Sequence, residues 1–210
     1  MIQATLLTRL LFIIGVALLA GRAVGDLIAP NLVHVVGALL MVGYLAWLVL
    51  EARVTFGAPR DTAAESGTLV TYASARMLLV ISAVLPAAPW PGWSPWMVPP
   101  VFLFLSGIAL RLGAIRALGA IYSHHVVRLE QHPLVTTGPY RFVRHPAYAG
   151  MLVANLGFIL FFRNAASAVA WLVLLGALIW RIRTEERVLW SVPGYPEFAT
   201  GRARLLVGVW

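Results

Sequence analysis

Long stretches without a single charged side chain constrain this chain more than anything else in it. Residues 10–21, 27–50, 77–110, 146–162 and 164–180 are all uncharged, and together they make up about half of the 210 residues. A hydrocarbon core about 30 Å thick is crossed by about 20 apolar residues rising 1.5 Å each, so runs of this length read as membrane-spanning helices. Composition agrees: 60% of the residues are hydrophobic and 11% charged, against roughly 25% charged in a soluble domain. The expected fold is an all-α polytopic integral membrane protein with five to six transmembrane helices, in contact with the lipid bilayer.

Helices are expected over 5–21, 31–50, 69–85, 97–117, 147–162 and 165–180. Pro30 falls where the first turn of the second helix begins, and Gly57-Ala58-Pro59-Arg60-Asp61 with Glu65-Ser66-Gly67 marks a polar connection after it. Between the third and fourth helices, Pro86, Pro89, Pro91, Pro95, Pro99 and Pro100 break the apolar run around Trp90, Trp93 and Trp96. That stretch reads as an interfacial loop anchored by indoles at headgroup depth. Arg9 before an apolar stretch, with Ala20-Gly21 after it, imitates a signal peptide, but retention as a first span is expected.

The net charge of +8 comes entirely from arginine, with no lysine in the chain. A soluble protein so basic would suggest nucleic acid; here the arginines crowd the ends of apolar runs, and no nucleic-acid partner is expected. With the N-terminus inside, only Arg22 and Arg163 fall outside, Arg76 and Arg111 being counted with the arginines at the inner face. This asymmetry predicts six crossings with both termini cytoplasmic. Lacking cysteine, the chain has no disulfide, no thiol nucleophile and no cysteine-ligated metal. Gly21-x-x-x-Gly25 offers a surface for close helix packing, while oligomeric state stays open.

Only Arg163-Asn164 separates the last two apolar runs, which predicts a tight antiparallel hairpin. A hairpin returns the chain to the face it left, so Tyr148 and Arg181 should meet there. Four of the five histidines precede it, His124, His125, His132 and His145, and Arg181-Ile182-Arg183-Thr184-Glu185-Glu186-Arg187 follows it. Ionisable residues concentrated at a membrane face mark a site. The histidine spacings match no compact zinc motif, and no metal is expected. There is no GxSxG hydrolase elbow and no Gly-x-Gly of a dinucleotide fold. Taken singly, these residues fit interfacial anchors, with Arg181 and Glu185 as an i,i+4 pair and Glu186 and Arg187 on a solvated helix face.

Taken together, LVTTGPYRFVRHPAYAG over residues 134–150, followed one hairpin later by Glu185-Glu186-x-x-Leu189, resembles the isoprenylcysteine carboxyl methyltransferase (ICMT) family and its phospholipid methyltransferase relatives. The resemblance implies a pocket for S-adenosylmethionine at the cytoplasmic membrane face, within residues 118–210 of a single membrane domain (1–210) whose N-terminal transmembrane helices occupy 1–117. Carried over by motif, Arg128, His132, Leu134, Val135, Gly138, Tyr140, His145, Pro146, Tyr148 and Glu185 would hold the cofactor. Arg181, with Arg183 as the competing choice and Glu185 beside them, would act on the acceptor.

Methyl transfer from a sulfonium is an in-line displacement for which a protein supplies alignment and a dry site. A carboxylate acceptor, the first choice, is already ionised and suits an arginine partner; an amine or phenol would need a base such as Glu185, Glu186 or a neutral histidine. The tyrosine faces at 140 and 148 suit a cation. The missing lysine points to a GC-rich genome and a bacterial inner membrane. There a free lipid, quinone-like phenol or isoprenoid acid stands beside a lipidated protein as acceptor. A sterol-reductase-like NADPH enzyme and a non-catalytic transporter or assembly protein are the competing readings.

Overall fold

The computed structural model describes residues 2–28, 31–55, 66–119, 134–208 and 210. Six long helices run through it: α1 (Ile2–Ile28), α2 (Leu32–Thr55), α3 (Ser66–Val84), α4 (Val98–Leu118), α5 (Pro146–Phe162) and α6 (Ala165–Leu189), followed by the short α7 (Tyr195–Ala199). Among the described residues the only β-type pairing is an isolated parallel bridge between Val143 and Ala203. Five helices are long and apolar enough to cross a membrane, and α5, at 17 residues, is a shorter apolar helix between α4 and α6. The chain is a polytopic all-helical membrane protein.

Local chemistry explains the helix ends. Asn31 accepts from Val33 N (2.9 Å) at the start of α2, and Asn164 accepts from Ser167 N (2.8 Å) at the start of α6, each satisfying a first-turn donor. Prolines 99 and 100 sit in the first turn of α4, and Pro146 opens α5, where a missing N–H costs nothing. Arg163, in the left-handed region at φ 45°, ends α5 and leaves one residue before α6. Pro30 and residues 56–65 lie outside the described residues.

Two helices run furthest past their expected ends at 21 and 180. α1 continues to Ile28 through the Arg22–Asp26 pair, one turn apart at 3.0 Å, and α6 continues past Trp180 to Leu189. A charge ends an apolar run, but arginine and glutamate are good helix formers and do not end a helix.

The predicted hairpin connection is present, but its two helices find their main partners elsewhere: α5 lies along α4, and α6 along α3. Glycine makes the first contact possible. A Cβ at Gly107 would stand 2.2 Å from Ala154 N, one at Gly150 2.6 Å from Arg111 N, and one at Gly157 2.4 Å from Phe104 N. Such backbone contact is the small-residue packing of membrane helices. Gly21 and Gly25, which suggested close packing, meet nothing within 4 Å.

Arg76 and Arg111 correct the arginine count. Both are buried inside the bundle, at 5% and 0% exposure, and so are paired within the protein and not solvated at a membrane face. Each pairs with Glu51, Arg76 through Nη1 at 2.9 Å and Arg111 through Nε and, at 3.2 Å, Nη2. Trp47 Nε1 also donates to Glu51, Arg76 Nε donates to the Tyr44 hydroxyl (2.9 Å), and that hydroxyl donates to Asn155 Oδ1 (2.8 Å). The Arg76 guanidinium lies 4.0 Å from the centre of the Trp47 ring. This knot joins α2, α3, α4 and α5, and Arg111 Nη1 reaches Ala147 O (3.0 Å) in the first turn of α5.

Candidate functional site

The end of the bundle where α5 starts and α6 finishes gathers the polar residues, as the hairpin argument requires. The chain enters through a 3₁₀ turn, Gly138–Arg141, that Gly138 opens at φ 60°, a conformation other residues adopt with strain. It then passes His145 into α5. The turn and α5 are held against the C-terminal segment by backbone bonds from Arg144 N to Ala203 O and His145 N to Arg204 O, both 2.9 Å.

Arg181, 1% exposed on α6, reaches two other helices. Its Nε donates to the Tyr148 hydroxyl on α5 and its Nη1 to Thr68 Oγ1 on α3, each at 2.9 Å, and its guanidinium carbon lies 5.5 Å from the centre of the Tyr72 ring. Arg183, two residues on and so on a different face of the helix, is exposed. Of the two arginines proposed for an acceptor, only Arg181 faces the convergence.

The two glutamates differ sharply. Glu186, expected on a solvated face, is 3% exposed and is the hub of the end. Its Oε1 receives Arg144 Nη1 (2.9 Å), His145 Nε2 (3.3 Å) and the Tyr195 hydroxyl (3.5 Å), and its Oε2 receives Arg204 Nε (2.7 Å). Adjacent helical residues point about 100° apart, so a helix with one glutamate at the site's edge turns the next into the protein. Burial pushes the Tyr195 hydroxyl above its ordinary value and the Glu186 carboxylate adds to the rise, so it stays a donor. Arg187 is exposed, in agreement with the bland reading.

Glu185 is the opposite case. Its side chain is 24% exposed, yet Oε2 is buried with no hydrogen-bond partner. The nearest basic atom is His145 Nδ1, at 3.7 Å. A Glu186 carboxylate paired with two guanidinium groups is an acceptor, so His145 Nε2 carries the proton directed at it. Glu185 Oε2 thus lacks a hydrogen-bond donor with His145 Nδ1 as its nearest basic neighbour, and the Tyr148 ring stacks on His145 with centres 5.8 Å apart.

The remaining residues are apolar neighbours of this end. Leu134 and Val135 pack on a small apolar cluster of Tyr140, Ala147, Tyr195 and Phe198, separate from the main core. Tyr140 is 8% exposed, an inner wall with its ring packed away, and Pro146 is buried at the start of α5. Arg128 and His132 lie outside the described residues, as do His124 and His125. Among the described residues no three metal-ligating side chains gather. Residue-by-residue reading missed Thr68 and Tyr72; their spacing with Arg76, one turn apart along α3, was the signal available.

Fold and site define a helical membrane protein whose polar chemistry is concentrated at one end of the bundle. Residues 100–191, from α4 through α6, match the isoprenylcysteine carboxyl methyltransferase (ICMT) family, and over that segment the family resemblance of the sequence is borne out. Over 120 residues the chain is 31% identical to "Protein-S-isoprenylcysteine O-methyltransferase B" of Arabidopsis thaliana, covering 55% of this chain and 59% of that protein. Over 91 residues it is 40% identical to "Protein-S-isoprenylcysteine O-methyltransferase" of Schizosaccharomyces pombe, covering 42% and 39%. A bacterial protein, "Cobalt-zinc-cadmium resistance protein CzcN" of Cupriavidus metallidurans, is 36% identical over 110 residues, 51% of this chain and 48% of that one. The match thus spans about three-fifths or less of these relatives' length. No solved structure matches.

Proposed function

We propose that this protein is an S-adenosylmethionine-dependent methyltransferase that methylates a lipophilic carboxylate, of the isoprenylcysteine kind or a free isoprenoid acid. The reaction takes place at the end of the bundle that the arginine bias assigns to the cytoplasm. The observation that carries the reading is the buried Glu185 Oε2 without a hydrogen-bond partner, beside His145, in an ICMT-family segment. Burying a polar atom without a partner costs ~1–3 kcal/mol, so such an atom at a site's edge calls for a donor from a ligand. S-adenosylmethionine carries such donors in its ammonium, ribose hydroxyls and adenine amine.

Glu185, His145 and Tyr148 would hold its polar groups, Leu134, Val135, Gly138, Tyr140 and Pro146 would form the walls, and Arg128 and His132 join them on family resemblance. When bound, the cofactor supplies a methyl group on an electrophilic sulfonium. Arg181 supplies the counter-charge for a carboxylate leaving water. Tyr148 and Thr68 already fix its guanidinium, so little order is lost when the acceptor arrives. Glu186 orients the His145 ring through Nε2 and holds the C-terminal segment over the end of α5. An already ionised acceptor makes no demand for a base.

Calorimetric titration of S-adenosylhomocysteine into the detergent-purified protein tests the reading, with NADPH as control. Saturable binding to wild type, weakened about tenfold in Glu185→Gln for the loss of one charged hydrogen bond, is expected. No binding to a folded protein, or equal binding by the variant, overturns the pocket. Transfer of labelled methyl to a farnesyl thioether acid then tests the acceptor, with Arg181→Ala expected to bind cofactor as wild type does and to lose turnover.

A further inference from the structure

The opposite end of the bundle holds a second built feature that methyl transfer does not use. A cleft of about 870 Å³ opens between the α3–α4 loop and the α5–α6 turn, lined by Trp90, Pro91, Trp93, Trp96, Leu160 and Arg163 among others. Its three tryptophans do different things. Trp90 Nε1 donates to Phe161 O (2.7 Å) and so ties the loop to the end of α5, whereas Trp93 and Trp96 stand 55% and 77% exposed. The cleft is therefore more than a row of anchors.

We propose that this cleft seats the headgroup of a phospholipid of the adjoining leaflet, its phosphate on Arg163 and its glycerol and upper chains against Trp93, Trp96 and Leu160. Depth is the first argument. One spanning segment begins at Pro95 and another at Ala165, on either side of the cleft, so it opens where hydrocarbon gives way to headgroups, the level indoles favour. Charge is the second. Arg163 is the only charged residue of the lining, and among the described residues no carboxylate forms an ion pair with it. Its guanidinium carbon lies 4.9 Å from the centre of the Trp90 ring, a contact that holds the group over an aromatic face and satisfies none of its N–H donors by hydrogen bonding. The third is the wall itself, in which Pro89, Pro91 and Pro100 contribute no backbone N–H, Ser94 and the exposed indoles add neutral donors, and the guanidinium fork is the charged donor suited to a phosphate.

A phospholipid with a photoactivatable group beside its headgroup tests this in the reconstituted protein, with crosslinked residues mapped by mass spectrometry. Crosslinks to Trp93, Trp96 or Leu160 are expected in wild type, competed by excess phosphatidylglycerol and untouched by diacylglycerol of the same chains. In Arg163→Asn, chosen because asparagine tolerates the left-handed conformation, they should fall at least tenfold, with Arg163→Lys intermediate. Crosslinks near the arginines of the other end serve as the internal control and should not change. Undiminished cleft labelling in Arg163→Asn, or equal competition by diacylglycerol in wild type, overturns the proposal. The wild-type competition decides by itself should that variant fail to fold.

Discussion

Glu51 inside the bundle and Glu185 at its end are both carboxylates beside buried arginines, and they are treated oppositely. Glu51 is closed on every side: Arg76, Arg111 and Trp47 all donate to it, and the aromatic rings of Tyr44, Trp47, Phe104 and Phe158 pack around the knot, Tyr44 and Phe158 with centres 4.9 Å apart. Glu185 keeps one buried oxygen without a donor. Its neighbour Glu186 repeats the closed pattern one residue away. Glu51, with its partners supplied by the chain, is scaffold, although Arg76 Nη2 beside it is buried without a partner; Glu185 Oε2, short of a donor at the site's edge, is where we propose that a ligand fits. The contrast also separates what holds α5 in place from what α5 presents.

The largest effect should follow from opening the closed region. Glu51→Ala leaves two buried guanidinium groups without their shared counter-charge and should cost ~3–5 kcal/mol, read as a drop in the unfolding midpoint in detergent. Glu186→Ala should come next, at ~1–3 kcal/mol, because Arg144 and Arg204 are partly solvated and recover some hydration. It should also weaken S-adenosylhomocysteine binding by freeing the His145 ring. Glu185→Gln should invert this pattern, changing stability by less than ~1 kcal/mol while losing cofactor affinity. If Glu185→Gln destabilises as much as Glu186→Ala, the distinction between scaffold and site fails. Arg183→Ala, on an exposed position, should shift stability by no more than ~0.5 kcal/mol and leave turnover alone; a loss like that of Arg181→Ala would return Arg183 to the site.

The outcome at each element shows how sequence signals fail. Uncharged runs, with the prolines that divide residues 77–110, located all six long helices, because the cost of charge in lipid is written residue by residue. They placed the ends of α1 and α6 seven and nine residues short, since Arg22–Asp26 and Arg181–Glu186 are charged yet helical. Glu186 was assigned to solvent by its type and proved to be the hub. The Trp-rich loop was read as an anchor, which describes Trp93 and Trp96 but not Trp90. Gly21 and Gly25 were chosen over Gly107, Gly150 and Gly157 because a four-residue spacing is visible within one helix, whereas contact between α4 and α5 is a property of two.

By itself the sequence determined that the chain lives in a membrane, how many long helices it builds, and that a hairpin must bring Tyr148 and Arg181 to one end. These follow from composition, from helical rise and from a two-residue turn, all local quantities. Only the tertiary structure decided which charges are spent inside. Arg76 and Arg111 are drawn inward to Glu51, Arg144 and Arg204 close over Glu186, and Glu185 is left with an unmet oxygen. Pairing of buried charge depends on distances between helices that no sequence interval records, and the low dielectric of the interior makes each such pairing all-or-none.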